Sequence, residues 1–245
     1  MHISPGTLDS TTTLMTAAVG LFAFCAACYG VRRELDAKQL PCLVGMTGFV
    51  LLAQMVDCAT GFGFAGHLVG ASLLAILFGP FSAMLSMALV LTLQAVLFGD
   101  GASSTLGANF LTMGLVAPWC GYAVFRLLQG LRSPQLDVAQ VLAVGAAAFL
   151  SSLAIAVALA VICQLPLGLI LPTFVAIGLI ETVLSVAVFA ACLQGRAAET
   201  DRARRYGLKP VAAICLLALC FSPLSSKQPD GLEYTIAEAS VHDLD

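Results

Sequence analysis

The first two residues of the chain, Met1 and His2, carry donor atoms that could hold a metal ion. At a free amino terminus, three nitrogens can close two adjacent chelate rings: the α-amine, the amide between the two residues, and a ring nitrogen of His2. These nitrogens lie in one plane, and a fourth would complete a square, a geometry that favours Ni(II) or Cu(II). The amine, with an ordinary pKa of about 7.7–8, must lose its proton, so binding should depend on pH.

His67 is the predicted fourth ligand, because the predicted topology places it on the same outer side of a membrane as His2. The segment Ser4-Pro5-Gly6 can turn the terminus back toward the rest of the chain. The third and last histidine, His242, lies in a polar tail. The alternative interpretation is that His2 is a frayed terminal residue and that His67 is an interfacial histidine with ordinary hydrogen bonds.

Five further polar residues are expected at or just beyond the outer ends of predicted helices, at about the depth of the histidines. They are Gln54, Asp57, Gln94, Asp100 and Asn109. Polar groups inside a helical bundle usually need partners, so these residues either orient the metal ligands or only join neighbouring helices. Glu181 is the one acidic residue well inside a predicted span. Its position nearer the middle of the membrane argues against direct ligation and favours a structural or coupling role.

The composition indicates a membrane protein that crosses the bilayer several times. Hydrophobic residues make up 60% of the 245 residues and charged residues 10%, whereas soluble domains carry about 25% charged residues. The sequence has no basic face, which argues against a nucleic-acid partner. Nine cysteines are scattered through apolar stretches. Most are expected to be small core side chains. Cys25 and Cys28 form a CxxC pair, but their place inside a predicted helix argues against a redox or metal role.

The expected fold is an all-α polytopic membrane protein, a bundle of seven transmembrane helices with an extracytoplasmic amino terminus. The predicted spans are 12–30, 40–57, 64–79, 80–98, 105–128, 138–163 and 169–194, since a span needs roughly 20 apolar residues. Gly79-Pro80 marks a tight turn between the third and fourth spans. With this count, ten basic residues from Arg32 to Lys209 face the cytoplasm, as the positive-inside rule favours. A short apolar piece, 210–221, could form an eighth helix.

Several stretches of the sequence resemble the CbiM/NikM family, the cobalt and nickel substrate-capture (S) components of energy-coupling factor (ECF) transporters. The stretches are MHISPG, QMVD, GHLVGASLLAILFGP, LVLTLQAVLFGDG and LGANFLTMGLVAPWCGY. Together they cover most of residues 1–194 in order. The tail SPLSSKQPDGLE resembles the PDGLE segment that many members carry at the carboxyl end or receive from a small separate subunit.

The resemblance implies an amino terminus inserted into a seven-helix bundle from outside, with the metal held by residues corresponding to Met1, His2 and His67. Members often begin MHIPDG or MHIPEG where this chain reads MHISPG, and Thr112 replaces the second Asn of a family motif. Three parts of the chain are expected: a transmembrane S component over 1–195, a basic cytoplasmic linker over 196–209, and a short apolar segment with the PDGLE-like tail over 210–245.

The resemblance also implies partners: a membrane coupling (T) subunit, cytoplasmic ATPase subunits and, in some members, a small accessory membrane subunit. The sequence has no GxxxxGK[ST] phosphate loop, so the chain is not expected to hydrolyse ATP itself. The expected function is therefore not enzymatic but capture of Ni(II) or Co(II) by a multi-pass component of an importer in the cell membrane, with no catalytic cofactor.

Two alternatives are a stand-alone secondary permease and a membrane-embedded enzyme. A permease would normally carry ionisable residues for proton coupling, for which Glu181 is the one candidate within the spans. An enzyme would need a motif such as HExxH or a nucleophile elbow, and the sequence contains neither.

Overall fold

The computed structural model describes residues 2–129, 138–197, 226 and 228–242 of the chain. Met1, most of the predicted linker 196–209 and the short apolar piece 210–221 lie outside the described residues. Of the predicted PDGLE-like tail, the part from Gln228 to His242 is described.

The described residues form nine α-helices and one small two-stranded sheet. The helices are α1 Ser10–Gly30, α2 Leu40–Gln54, α3 Ala71–Phe78, α4 Pro80–Leu93, α5 Leu106–Asn109, α6 Ala117–Gln129, α7 Val138–Ile162, α8 Leu167–Ala197 and α9 Gly231–His242. Two 3₁₀ turns, Val31–Arg33 and Ala37–Gln39, connect α1 to α2. Two π-helical stretches, Gln94–Phe98 and Phe110–Val116, extend α4 and join α5 to α6. The antiparallel sheet pairs β1 Cys58–Ala59 with β2 Ala65–Gly66.

Five of the described helical segments are long and apolar enough to cross a membrane. They are Ser10–Arg33, Pro80–Phe98, Leu106–Leu128, Val138–Ile162 and Leu167–Cys192. The chain is therefore a multi-pass membrane protein, as predicted. The other two predicted spans form shorter helices, since α2 has 15 residues and α3 has 8. At about 1.5 Å of rise per residue, α3 covers only about 12 Å of a hydrocarbon layer about 30 Å thick.

The predicted span 64–79 differs most from the structure, because residues 64–70 are not helical. Gly70, directly before α3, has a φ of +72°, a left-handed conformation that suits glycine and interrupts a helix. The N–H groups of Val69 and Gly70 donate to the carboxyl group of Glu181 on α8 instead of to a preceding helical turn. Irregular backbone at membrane depth needs such partners inside the protein, and all residues of α3 are buried.

Two groups of loops mark the two ends of the bundle. At one end, the carboxylate of Glu34, just after α1, accepts a hydrogen bond from Ser82 N at 3.1 Å. Ser82 follows Gly79-Pro80, where α3 and α4 meet in the predicted turn. At the other end lie the amino-terminal segment, the loop that carries β1 and β2, and the loop 99–105. The extracytoplasmic position of this second end remains a prediction from the basic residues.

The carboxyl-terminal helix α9 packs against α8, where the hydroxyls of Thr173 and Thr235 lie 3.3 Å apart. The residues just before α9 contact β2, since Pro229 O accepts a hydrogen bond from Ala65 N at 2.9 Å. Ala65 precedes His67 by two residues. The tail therefore holds the strand that leads into one of the two predicted histidine ligands.

Candidate metal site

The amino-terminal segment is inserted among the helices by hydrogen bonds to the backbone of Ile3. Ile3 N donates to Asn109 Oδ1 at 2.8 Å, and Thr105 Oγ1 donates to Ile3 O at 2.7 Å. Ile3 and its neighbour His2 are both buried. A turn at Pro5-Gly6, as predicted, then leads the chain back toward α1. His2 is thus a buried residue in a fixed segment and not a frayed end.

The imidazole of His2 lies beside the carboxylate of Asp100. His2 Nδ1 is 3.0 Å from Asp100 Oδ1, a distance suited to an ion pair. The two atoms are not aligned for a good hydrogen bond, and neither ring nitrogen of His2 has a well-formed hydrogen bond to any of the described residues. Nδ1 is the ring atom that can close a six-membered chelate ring with the amide nitrogen of the same residue. A carboxylate at this distance favours a cation at that atom.

Gly101 gives His2 the space for this position. Its φ is +80°, and a Cβ at residue 101 would lie 3.1 Å from Asn109 Nδ2 and 3.6 Å from His2 Cβ. Any other residue would be strained in this left-handed conformation and would crowd the side chain that holds the amino-terminal segment. The loop 99–105 therefore depends on glycine to place Asp100 against His2.

His67 lies against His2 in the segment between β2 and α3. The two rings are stacked, with centroids 5.8 Å apart and an interplanar angle of 24°. His67 Nδ1 lies 3.1 Å from Leu68 O, which favours a proton on Nδ1 and a lone pair on Nε2. Burial lowers the pKa of His67 to about 3. The ring is therefore neutral at physiological pH, and neutral imidazole is the form that binds metal ions.

Acidic side chains shape the electrostatics around the two histidines. Burial disfavours the charged form of Asp100, but the combined attraction of neighbouring groups, chiefly His2, outweighs burial and lowers the pKa of this carboxyl. Burial raises the pKa of Asp57, and the nearby carboxylates of Asp230 and Asp100 raise it further. Asp57 is thus close enough to both other acids to be influenced by their charge. A divalent cation bound at the histidines would gain from their combined negative charge.

Gln54 and Asn109, two of the polar residues predicted near the ligands, hold backbone next to the histidines. Asn109 accepts the hydrogen bond from Ile3 N, one residue after His2. Gln54 Nε2 donates to Val69 O at 2.6 Å, two residues after His67. Each therefore fixes a segment that carries an imidazole and does more than join two helices.

The remaining predicted residues have different surroundings. Gln94 begins the π-helical stretch 94–98 and is fully buried, and neither atom of its amide has a hydrogen-bond partner in the described part of the chain. Asp57 precedes β1, and its carbonyl accepts a hydrogen bond from Ser226 N at 2.7 Å. Met1, the third predicted ligand, lies outside the described residues. The parts that these residues play toward a metal remain predictions.

Two residues that reasoning from the sequence does not select as site residues also belong to this region: Thr105 and Asp230. Asp100, one of the polar residues predicted just beyond the outer ends of the helices, lies 3.0 Å from His2 Nδ1. Nothing in the sequence marks Thr105. Asp230 caps α9 by accepting a hydrogen bond from Leu232 N at 2.7 Å, and its backbone pairs with Ala65 in a parallel bridge.

Within residues 2–129, 138–197 and 228–242, no three side chains of His, Cys, Asp or Glu form a group that could hold a metal ion. The described site offers a pair of imidazoles with acids around it. Backbone nitrogens at the terminus can supply further donors at this place.

Comparisons with known proteins identify the relatives of the chain. A family model described as CbiM, cobalt uptake substrate-specific transmembrane region, matches residues 2–198. The cobalt transport protein CbiM of Thermosipho melanesiensis is 33% identical over 132 residues, which cover 52% of this chain and 55% of that one. The fused nickel transport protein NikMN of Rhodobacter capsulatus is 31% identical over 127 residues, which cover 52% of this chain and 37% of that one. The chain spans about half the length of the curated relatives it matches.

Two solved structures have the same fold. One, described as a truncated transition metal transporter, superposes with a TM-score of 0.69 at 28% sequence identity, over 79% of this chain and 99% of that chain. The other, described as a transition metal transporter, has the same TM-score and identity and covers 82% of this chain and 95% of that chain.

Proposed function

Because the chain belongs to the CbiM family, we propose that it captures Ni(II) or Co(II) at the extracytoplasmic face of the membrane as the S component of an ECF-type importer. The observation that carries the proposal is the buried, stacked pair of His2 and His67. Buried polar atoms nearly always have a partner, yet the described residues offer the ring nitrogens of His2 only the carboxylate of Asp100, which is 3.0 Å from Nδ1 and poorly aligned for a hydrogen bond. A transition-metal ion is a partner that both rings can share.

The proposed site uses four nitrogens in one plane. Met1 supplies the α-amine, His2 supplies Nδ1 and its amide nitrogen, which releases its proton to solvent on binding, and His67 supplies Nε2, the nitrogen that does not face the Leu68 carbonyl. The first three donors close one five-membered and one six-membered ring. The negative charge of Asp100 beside Nδ1 offsets part of the charge of the bound cation.

We propose nickel as the preferred cargo and cobalt as the alternative. Both ions accept nitrogen ligands, but Ni(II) adopts a square-planar geometry more readily than Co(II). The relatives do not decide between the two, because their names refer to cobalt in one case and to nickel in another.

Movement of the bound ion across the membrane requires energy from partners in this proposal. The sequence contains no GxxxxGK[ST] loop, so cytoplasmic ATPase subunits would supply ATP hydrolysis and a membrane coupling (T) subunit would transmit it. A small accessory membrane subunit is a further proposed partner, since a relative named as a fused nickel transport protein is much longer than the part this chain matches.

Metal binding by the purified chain tests the site. Untagged protein in detergent, titrated against a competing chelator, should bind one Ni(II) per chain. His2→Ala and His67→Ala should each lower the affinity by more than about 100-fold, beyond the 10- to 100-fold typical of residues that only orient a ligand. One residue added before Met1 should do the same, because it moves the amine away from the chelate. His242→Ala is the matched control, since it removes the remaining histidine of the chain.

An amino-terminally tagged protein that bound Ni(II) as tightly as the untagged chain would show that the proposed site is wrong. Uptake in cells tests the transport part separately. Accumulation of Ni(II) should require co-expressed ATPase and coupling subunits. Efficient uptake by this chain alone, in a host that lacks such subunits, would favour a stand-alone permease.

A further inference from the structure

Glu181 on α8 makes two hydrogen bonds to the segment that carries His67. Glu181 Oε2 accepts a hydrogen bond from Val69 N at 2.6 Å, and Oε1 accepts one from Gly70 N at 2.9 Å. The Glu181 side chain is 1% exposed and lies well inside the span Leu167–Cys192. An acid at such a position is energetically costly and normally serves a specific purpose.

The segment after His67 is held from two sides. The N–H of Val69 donates to Glu181 on α8, while the carbonyl of Val69 accepts the 2.6 Å hydrogen bond from Gln54 on α2. Gly70 then turns into α3, whose residues are all buried. Any displacement of Val69 would break short hydrogen bonds to two different helices, so the position of this residue is tightly defined.

The peptide unit between Leu68 and Val69 links Glu181 to His67. Its N–H donates to Glu181, and its carbonyl, Leu68 O, lies 3.1 Å from His67 Nδ1. Because a peptide unit is planar and its N–H and C=O point in opposite directions, fixing the N–H also fixes the carbonyl. A carboxyl group that accepts the N–H also polarises the unit and strengthens its carbonyl as an acceptor.

This arrangement resembles the chain of carboxylate, histidine and metal found around many metal sites, with a peptide unit inserted between the carboxylate and the imidazole. A hydrogen bond from the far ring nitrogen of a ligating histidine sets its tautomer and orientation and makes the ligand more basic. Here that bond would run from His67 Nδ1 to Leu68 O and would direct Nε2 toward the ion.

We propose that Glu181 is a positioning residue for His67 and acts on the metal site through the Leu68–Val69 peptide. The inference rests on the proposed function of His67 as a ligand. It connects the site to α8, a membrane-spanning helix, by two hydrogen bonds. A change in the position of α8 would thereby alter how well His67 can hold the ion.

Glu181→Gln tests the proposal, because glutamine keeps the shape of the side chain but offers only one acceptor oxygen. We expect a folded, monodisperse protein whose affinity for Ni(II) is lower by about 10- to 100-fold, the range typical of groups that orient a ligand. Ser185→Ala is the matched control. Ser185 is also fully buried on α8, its hydroxyl has no hydrogen-bond partner among the described residues, and its loss should leave affinity unchanged.

A double-mutant cycle separates positioning from general stabilisation. If Glu181 acts through His67, the loss caused by Glu181→Gln should disappear when His67 is already alanine. Cu(II) is the probe for this cycle, because it binds nitrogen donors more tightly and keeps the weakened variant measurable. An equal loss with and without His67, or no loss at all, would overturn the proposal.

Hydrogen exchange of the unaltered chain provides a test that does not depend on how any variant folds. If Ni(II) binding at His67 is coupled to closure of the Val69–Gly70 segment, coupling is reciprocal, so Ni(II) should slow exchange of the Val69 and Gly70 amides. Unchanged exchange at these two amides in saturating Ni(II) would overturn the proposal. If instead Ni(II) binding did not require His67, the proposed function itself would be wrong.

Discussion

Replacement of Asn109 by leucine should release the amino-terminal segment from the bundle while the rest of the protein stays folded. Leucine has a similar shape but offers no acceptor to Ile3 N, which donates to Asn109 Oδ1 at 2.8 Å. A buried N–H without a partner costs about 1–3 kcal/mol. In the released segment this N–H binds water, so the penalty applies only to the docked form. The released fraction should therefore rise by about 5- to 150-fold.

Cleavage by an aminopeptidase measures this fraction, because the enzyme needs an extended, accessible segment and both His2 and Ile3 are buried when docked. When opening and closing are fast, the cleavage rate follows the equilibrium population of the open form. Mass spectrometry of the metal-free protein in detergent should show loss of the first residues about 5- to 150-fold faster in Asn109→Leu. Excess Ni(II) should slow the cleavage of both proteins if it binds the docked terminus.

Thr112→Val is the matched control for this experiment. Thr112 lies three residues after Asn109 in the same continuous helical segment. Its hydroxyl donates to Ala108 O at 3.2 Å and to Asn109 O at 3.1 Å, both within that segment. Its loss should leave the cleavage rate within about twofold of the unaltered chain, since exposed or locally bonded hydroxyls contribute little to docking. If Asn109→Leu were cleaved no faster than Thr112→Val, the hydrogen bond at Ile3 would not hold the terminus, and the reasoning would fail.

Three further predictions follow from the same region. Gly101→Ala should lower the free energy of unfolding by about 1–2 kcal/mol in denaturant titrations, because alanine is strained at a φ of +80°, whereas Gly48→Ala, with open space around its Cβ, should not. Ni(II) affinity should fall with falling pH, because the His2 amide releases a proton on binding, and should fall more steeply below about 7.7–8, where the terminal amine also takes up a proton. His67, with its pKa lowered to about 3, stays neutral and should add no inflection near pH 6. Cysteine labelling should place 57–66 and 99–104 outside and 31–38 inside, and an external Arg126 would contradict the predicted topology.

The long helices could be predicted closely from the sequence, because a span is defined by the length of an apolar stretch alone. The predicted span 12–30 corresponds to α1 Ser10–Gly30, and 138–163 corresponds to α7 Val138–Ile162. The region 64–79 is equally apolar, but only half of it forms a helix. Hydropathy cannot distinguish an apolar helix from an apolar loop that is buried in the protein, because both are removed from water and lipid head groups.

The two histidines could be predicted as a pair, because they are two of only three in the chain and the order of the spans brings them to one side. What holds them could not be predicted in the same way. The partners of Asn109 and Glu181 are backbone N–H groups more than 100 residues distant. Every residue except proline carries such a group. The residue type at the partner position therefore gives no sign in the sequence that it pairs with Asn109 or Glu181.

Some positions near the site bond through the backbone and others through the side chain, and this determines which substitutions the site should tolerate. At Val69 the hydrogen bonds involve only the backbone, so another β-branched residue such as isoleucine keeps them and changes only the packing of a buried side chain. Glu181 contributes both acceptors from its side chain, and glutamine already removes one of them. Gly70 has no substitute, because a Cβ there would lie 2.7 Å from Val50 Cγ2 in a left-handed conformation. The geometry around His67 therefore depends on an acid in one helix and a glycine directly before another, neither of which contributes a nitrogen ligand.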